Sequence, residues 1–279
     1  MRHWDHWLDE RRSQLFSISL NDDGIAEGSP KRLTLVDADV PSRIWGGSEE
    51  YAISPDGQTL FFAARLRNAD EPTSTNFDIY STSLENPASP ENLTEPNEAW
   101  DTAPIVSPDG RYLAYKAMSR PGFEADQYQI IVRDLRSGSI ATLTEDWDRS
   151  PSSIAFAPDG QSILAVAQDV GHRTLWEFDL NGADPVRLAG DGTVGGIDAA
   201  DALIVYAMSS LTSPSELYVL DTQTGTQRKI TDVSSRTLTG VEMGEYEQFS
   251  FDGWGGATVY GFVVKPAGYS EGQTYPVAF

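Results

Sequence analysis

A short stretch of this chain gathers the groups most able to hold a charged ligand: Arg120, Glu124 and Asp126, within Ser119–Tyr128 (SRPGFEADQY). A carboxylate on a loop can fix a free ammonium group through charge-assisted hydrogen bonds. The competing use of the same residues is an ion pair, Glu124 with Arg120 or with an arginine of a neighbouring domain. Two other patterns suggest chemistry. Gly268-Tyr269-Ser270-Glu271-Gly272 matches G-x-S-x-G, the turn that presents a nucleophilic serine between a buried strand and a helix. Here Lys265-Pro266-Ala267 precedes it and Gln273-Thr274-Tyr275-Pro276 follows, and His172 is the last histidine, so no general base comes after Ser270. The motif reads as a surface loop, and no catalytic residue is assigned. His3 and His6 form an H-x-x-H around Asp5, a spacing open to a metal, but Trp4 and Trp7 beside them favour a packed interface loop. No metal or cofactor is expected.

The elements that must carry these residues are legible as a repeat. Ser54-Pro55-Asp56-Gly57, Ser107-Pro108-Asp109-Gly110 and Ala157-Pro158-Asp159-Gly160 lie 53 and 50 residues apart, a spacing that fits propeller blades. Proline presets φ, aspartate caps the local backbone and glycine takes positive φ, so each is a tight turn. Strand-like runs follow: Thr59–Ala63, Tyr112–Tyr115 and Ser162–Val166. A third strand comes next (Ile79–Leu84, Ile130–Leu135, Leu175–Leu180), then a short one closing at Leu93-Thr94, Leu143-Thr144 or Leu188-Ala189. A degenerate fourth unit runs through Ala202–Ala207, Glu216–Asp221 and Lys229–Thr231. Leu15–Leu20 with Arg32–Thr34 gives only the outer half of a blade.

The expected fold is therefore all-β, a partial propeller of roughly four and a half blades from a parent ring of about seven. The opening half-blade and the apolar close at Tyr275–Phe279, read as a strand, suggest truncation at both ends, and a marginal, aggregation-prone piece. Residues 1–236 are assigned to the propeller and 237–279 to the beginning of a second domain, since Glu247–Gly253 and Thr258–Pro266 form a hairpin without the repeat's turn. In a four-stranded blade the first turn lies on one rim. The second-to-third loop and the passage to the next blade lie on the other, so Arg65–Asp78, Ser119–Tyr128 and the opening Arg2–Arg12 should share the rim that faces the second domain. Trp100-Asp101 and Trp147-Asp148 precede first strands, with the tryptophans as wedges between blades.

Composition narrows the partners. Lys and Arg number 20 against 42 Asp and Glu, a net charge of −22, which repels nucleic acid and anionic lipid. There is no cysteine, which removes disulfides, thiolate metal sites and a cysteine nucleophile. No apolar run is long enough to span a membrane. A soluble chain, cytoplasmic or periplasmic/secreted, is expected, with the compartment and any homo-oligomer left open.

Taken together, the SPDG blades, the opening RHWDHWLDERRSQLF, the loop MSRPGFEADQ and the tail FSFDGWGGATVYGFVVKPAGYSEGQTYPVAF resemble bacterial members of the prolyl oligopeptidase family of serine peptidases, of the dipeptidyl and acylaminoacyl peptidase type. The resemblance covers essentially the whole chain. It implies a propeller that gates short peptides into an α/β-hydrolase domain begun by residues 237–279, with the nucleophilic Ser, the Asp and the His following beyond Phe279. In such a peptidase a carboxylate of the loop that holds Arg120, Glu124 and Asp126 would anchor the free amine of a peptide, which would make the parent an enzyme that removes dipeptides. The alternative is a non-enzymatic TolB-like propeller that binds a protein partner.

Overall fold

The computed structural model describes residues 2–3, 6–7, 9–43, 46–69 and 71–278. Its strands are β1 (Arg2–His3), β2 (His6–Trp7), β3 (Phe16–Leu20), β4 (Ala26–Arg32), β5 (Tyr51–Ile53), β6 (Thr59–Ala64), β7 (Asp78–Ser83) and β8 (Glu91–Asn92). They continue as β9 (Asp101–Val106), β10 (Tyr112–Ala117), β11 (Gln129–Asp134), β12 (Ile140–Thr142), β13 (Pro151–Phe156), β14 (Ser162–Asp169), β15 (His172–Asp179) and β16 (Val186–Ala189). The last are β17 (Thr193–Ala200), β18 (Leu203–Ser210), β19 (Ser213–Asp221), β20 (Gln227–Lys229), β21 (Tyr246–Asp252) and β22 (Thr258–Val264). Among the described residues the only helical segments are 3-10 turns. The all-β reading and its partial propeller hold: a two-stranded half-blade, β3–β4, is followed by four successions of four strands.

The chain divides into two compact units: Met1–Ile163 with Phe178–Asp184, and Leu164–Glu177 with Pro185–Phe279. In the first, β5-β6-β7-β8 and β9-β10-β11-β12 are antiparallel blades in simple sequential order. The run Thr59-Leu60-Phe61-Phe62-Ala63-Ala64 shows why a central blade strand is continuously apolar. Side chains alternate across the pleat, and both faces are covered. Leu60, Phe62 and Ala64 pack with Val40 and Tyr80 on one side, while Phe61 and Ala63 meet Leu113, Tyr115 and Ile131 of the next blade on the other. Each such Phe or Leu contributes about 1.5–3 kcal/mol by leaving water.

The turns share one rim in this unit. Gly57, Gly110 and Gly160 all have φ near +70°, a region only glycine enters freely. The Ser54 and Ser107 hydroxyls donate to Asp56 and Asp109 at 2.5 and 2.6 Å, and accept the amides of Thr59 and Tyr112. A methyl on Gly160 would meet Pro108 at 3.3 Å and one on Gly110 would meet Pro55 at 3.8 Å, so successive turns stack.

The second unit is cored by Leu164, Val166, Leu175, Ile204, Tyr206 and Leu220. Within it β17–β20 form an antiparallel blade, joined to the preceding one by a parallel bridge, Arg173 to Thr193. β21 and β22 pair in full register from Tyr246 opposite Val264 to Asp252 opposite Thr258. The expected strand at Tyr275–Phe279 is not one: residues 275–278 have no ladder partner among the described residues, and without one an apolar run is not a strand.

Candidate functional site

The two long second-to-third loops of the first unit lie against each other. Arg65, at the end of β6, donates to Ser74 O at 2.9 Å and pairs with Glu71 at 3.0 Å, its guanidinium 5.1 Å from the Phe77 ring centre. Thr75 of that loop accepts the amide of Gly122 at 2.9 Å. The next loop is tied to the following blade, because Gln127 Nε2 donates to Trp147 O and Arg149 O, and Tyr128 N to Ser150 Oγ at 3.0 Å.

The structure brings Arg120 and Asp126 together, though not as an ion pair. Asp126 Oδ2 accepts the backbone amides of Ser119 and Arg120 at 3.0 and 2.9 Å and the Ser119 hydroxyl at 3.3 Å. Desolvation raises the pKa of Asp126, but these amides and that of Gln127 outweigh it and hold the carboxylate ionised below its ordinary range. Asp126 thus organises its own loop. The Arg120 side chain lies flat over Phe123 at 4.1 Å. Glu124 is exposed, with no ion pair among the described residues, and its charge is felt at the half-buried phenol of Tyr128. Lys116 lies 4.9 Å over the Tyr128 ring and donates to Ser152 O at 2.9 Å, and burial lowers its pKa against the opposing pull of Glu49.

The blades carry threonines at their closing strands, Thr34, Thr94 and Thr144 buried and Thr231 partly exposed. Thr34, Thr94, Thr144 and Thr231 each accept through Oγ1 the backbone amide of a third-strand residue: Leu15, Ile79, Ile130 and Leu217, at 2.8–3.1 Å. The Leu-Thr step at Leu33-Thr34, Leu93-Thr94 and Leu143-Thr144, and Ile230-Thr231 in the last blade, carries this clasp, while the blade that closes at Leu188-Ala189 lacks the threonine. Trp100 and Trp147 pack as wedges, Trp100 stacked on Phe77 at 4.8 Å and Trp147 edge-on to Phe178 at 4.9 Å. Asp101, next to Trp100, is fully enclosed. Burial, and secondarily the nearby Asp78, push its pKa up to about 7 against hydrogen bonds from Thr94 and Asn97.

In the second unit the β14–β15 turn seats the terminal hairpin. A methyl on Gly171 would fall 2.6 Å from the Phe262 ring, Gln248 Nε2 donates to Val170 O at 2.5 Å, and His172 meets Phe262 edge-to-face at 5.3 Å. Ser270 lies in an exposed turn, its amide donating to Tyr275 Oη at 2.9 Å, and no helix follows among the described residues. The backbones of His3 and His6 pair in β1–β2, while their side chains, with Trp4 and Asp5, lie outside the described residues. No helix of the described residues is long and apolar enough to cross a membrane.

No protein-family model matches the chain. A dipeptidyl-peptidase 5 of Aspergillus fumigatus is similar over 302 residues at 26% identity, covering 100% of this chain and 42% of the relative. The chain thus spans about two fifths of the length of the curated relatives it matches. Among solved structures, the Pyrococcus horikoshii acylaminoacyl peptidase superposes on 95% of this chain and 40% of its own, at TM-score 0.66 and 16% identity. TolB from Acinetobacter baumannii superposes on 74% of this chain and 46% of its own, at TM-score 0.51 and 18% identity. At such identities the structural likenesses establish the propeller fold alone. The sequence likeness runs the length of the chain, and the resemblance to the prolyl oligopeptidase family stands.

Proposed function

We propose that this chain is the propeller-bearing portion of a serine peptidase that hydrolyses short peptides in the manner of dipeptidyl or acylaminoacyl peptidases. The observation that carries this reading is the similarity, along the whole of this chain, to part of a dipeptidyl-peptidase 5. The propeller would admit short unfolded peptides, while an α/β-hydrolase domain beginning near residue 237 with the β21–β22 hairpin would perform the acyl transfer. The chain by itself should then be inactive.

Glu124 is the residue we assign to the peptide's free amine. It projects unpaired from a loop that Asp126 holds in shape, so the organising carboxylate and the ligand-facing one are separate. Arg120, stacked on Phe123, would shape the loop's outer surface.

The test uses the whole peptidase of which this chain would be the propeller-bearing portion, with dipeptidyl-naphthylamides bearing a free or an acetylated amine. Glu124→Gln should raise KM for the free-amine substrate by about tenfold to a hundredfold, the worth of one charge-assisted hydrogen bond, and leave the acetylated substrate unchanged. Equal effects on both would remove the amine anchor. Absence of any peptidase activity would favour the TolB-like binding reading.

A further inference from the structure

Asp101 opens β9 with its side chain at 0% exposure. Its Oδ1 accepts Asn97 Nδ2 at 2.8 Å, whereas Oδ2 meets no donor among the described residues, and the indole Nε1 of neighbouring Trp100 meets no acceptor. Thr94 links this carboxyl to a second one. Its hydroxyl accepts the amide of Ile79, donates to Asp78 Oδ1 at 3.5 Å and also lies near enough to Asp101 to favour its ionised form. One O–H proton cannot serve two carboxylates, and a buried carboxyl left without a donor favours its neutral form.

The surrounding groups do not offset a negative charge here. Asp78 faces the nest from β7, Glu95 from the loop before β9, Tyr115 from β10 and Tyr128 from the approach to β11, with Glu49 and Glu50 on the turn packed against β9. Arg133 acts on Tyr115, and Lys116 is engaged at Ser152 O.

The same atoms hold the roots of both long loops. Asn97 Nδ2 donates a second bond to Met118 O at 3.0 Å, Met118 N donates to Trp100 O at 2.9 Å, and Asp101 N donates to Phe77 O at 2.8 Å. Met118 immediately precedes the Ser119–Tyr128 loop. A carboxylate formed at Asp101 can be solvated only if this junction opens, and opening it releases Met118.

We propose that Asp101 is a proton-dependent pin for the Ser119–Tyr128 loop: its protonated carboxyl keeps the loop root closed, and loss of that proton as pH rises lets water in and frees the loop. The proposal is independent of the peptidase reading. Its test is hydrogen exchange on the full chain at pH 5.5 and 8.5, corrected for intrinsic exchange, in peptides covering 97–101 and 116–128. Protection in the wild type should fall at least about tenfold at the higher pH. Asp101→Asn should be equally protected at both, and Asp148→Asn, at the exposed Trp-Asp step of the next blade, should behave as wild type. Protection that is independent of pH in the wild type, or wild-type pH dependence in Asp101→Asn, would overturn the proposal. Should Asp101→Asn fail to fold, Asp78→Asn serves instead: it removes the like-charge neighbour and must move the midpoint to lower pH, so an unmoved midpoint also overturns it.

Discussion

Glu216 in the second unit and Asp101 in the first are equally enclosed, at 1% and 0% exposure, and their surroundings are opposite. Glu216 receives four donors: the Thr231 hydroxyl at 2.5 Å, the Ser234 hydroxyl at 2.7 Å, and the amides of Ser234 and Val233 at 2.9 and 3.1 Å. With the Thr231 hydroxyl foremost, these bring its pKa down to about 2. Asp101 has one carboxyl oxygen bonded and the other unmet, with a second carboxyl nearby. Enclosure alone therefore says nothing about a carboxylate's charge; the donors supplied along with the enclosure decide it. The four donors make Glu216 an anionic clamp for the segment leading out of the last blade. Their scarcity makes Asp101 a group whose proton is part of the fold.

The largest effect should come from removing the clamp. Glu216→Ala leaves four part-buried donors without their acceptor and should lower Tm more than either Asp101→Asn or Glu124→Gln, with loss of hydrogen-exchange protection over 231–234. Calorimetry against wild type checks it, and an unchanged Tm would break the comparison at its stronger end.

Next in size is the pH response. Asp101 binds its proton more tightly folded than unfolded, so its contribution is full below about pH 4 and is lost as pH rises toward 7, at up to about 1.4 kcal/mol per unit. Glu216 has the opposite sign, its contribution being present above the ordinary glutamate range and lost as pH falls toward 2. Denaturant unfolding should show a maximum between these windows, and Asp101→Asn should flatten only the neutral side. A neutral limb that persists in that variant would separate the slope from Asp101.

The smallest effect lies on the turn rim. Asp56 and Asp109 accept a serine hydroxyl, which lowers the pKa of each, whereas the third turn has Ala157 at the serine position. Ala157→Ser should supply the missing donor to Asp159 and stabilise by no more than about 0.5 kcal/mol, read as a shift of the urea midpoint. A loss of stability would mean that the largely buried Ala157 site cannot accept the extra oxygen.

The blade succession was legible because its signals are local: Pro-Asp-Gly dictates a turn and an apolar run dictates a strand covered on both faces. The rim carrying Ser119–Tyr128 followed from strand count alone. What the sequence did not disclose was the division of labour within that loop. Glu124 and Asp126 are two residues apart and chemically alike, and only the backbone path turns Asp126 onto the amides of Ser119 and Arg120. The same holds for the paired Trp-Asp steps. Asp101 is enclosed while the Asp148 side chain is 83% exposed beside Arg149, a difference made by the longer connection before Trp100, which folds Asn97 over the first carboxyl. Tyr275–Phe279 read as a strand from its apolar residues, but pairing depends on a neighbour that the segment itself does not specify.

The stacked turns bear on how such a chain is inherited. Pro55 lies against Gly110 and Pro108 against Gly160, so the middle turn presents a ring on one side and a bare backbone on the other. A blade copied or excised with its turn intact brings both halves of that fit and meets its new neighbours as it met the old. A cut within a turn strands a proline opposite a side chain, so ancestral duplications and present-day grafts should share breakpoints in the connections between blades.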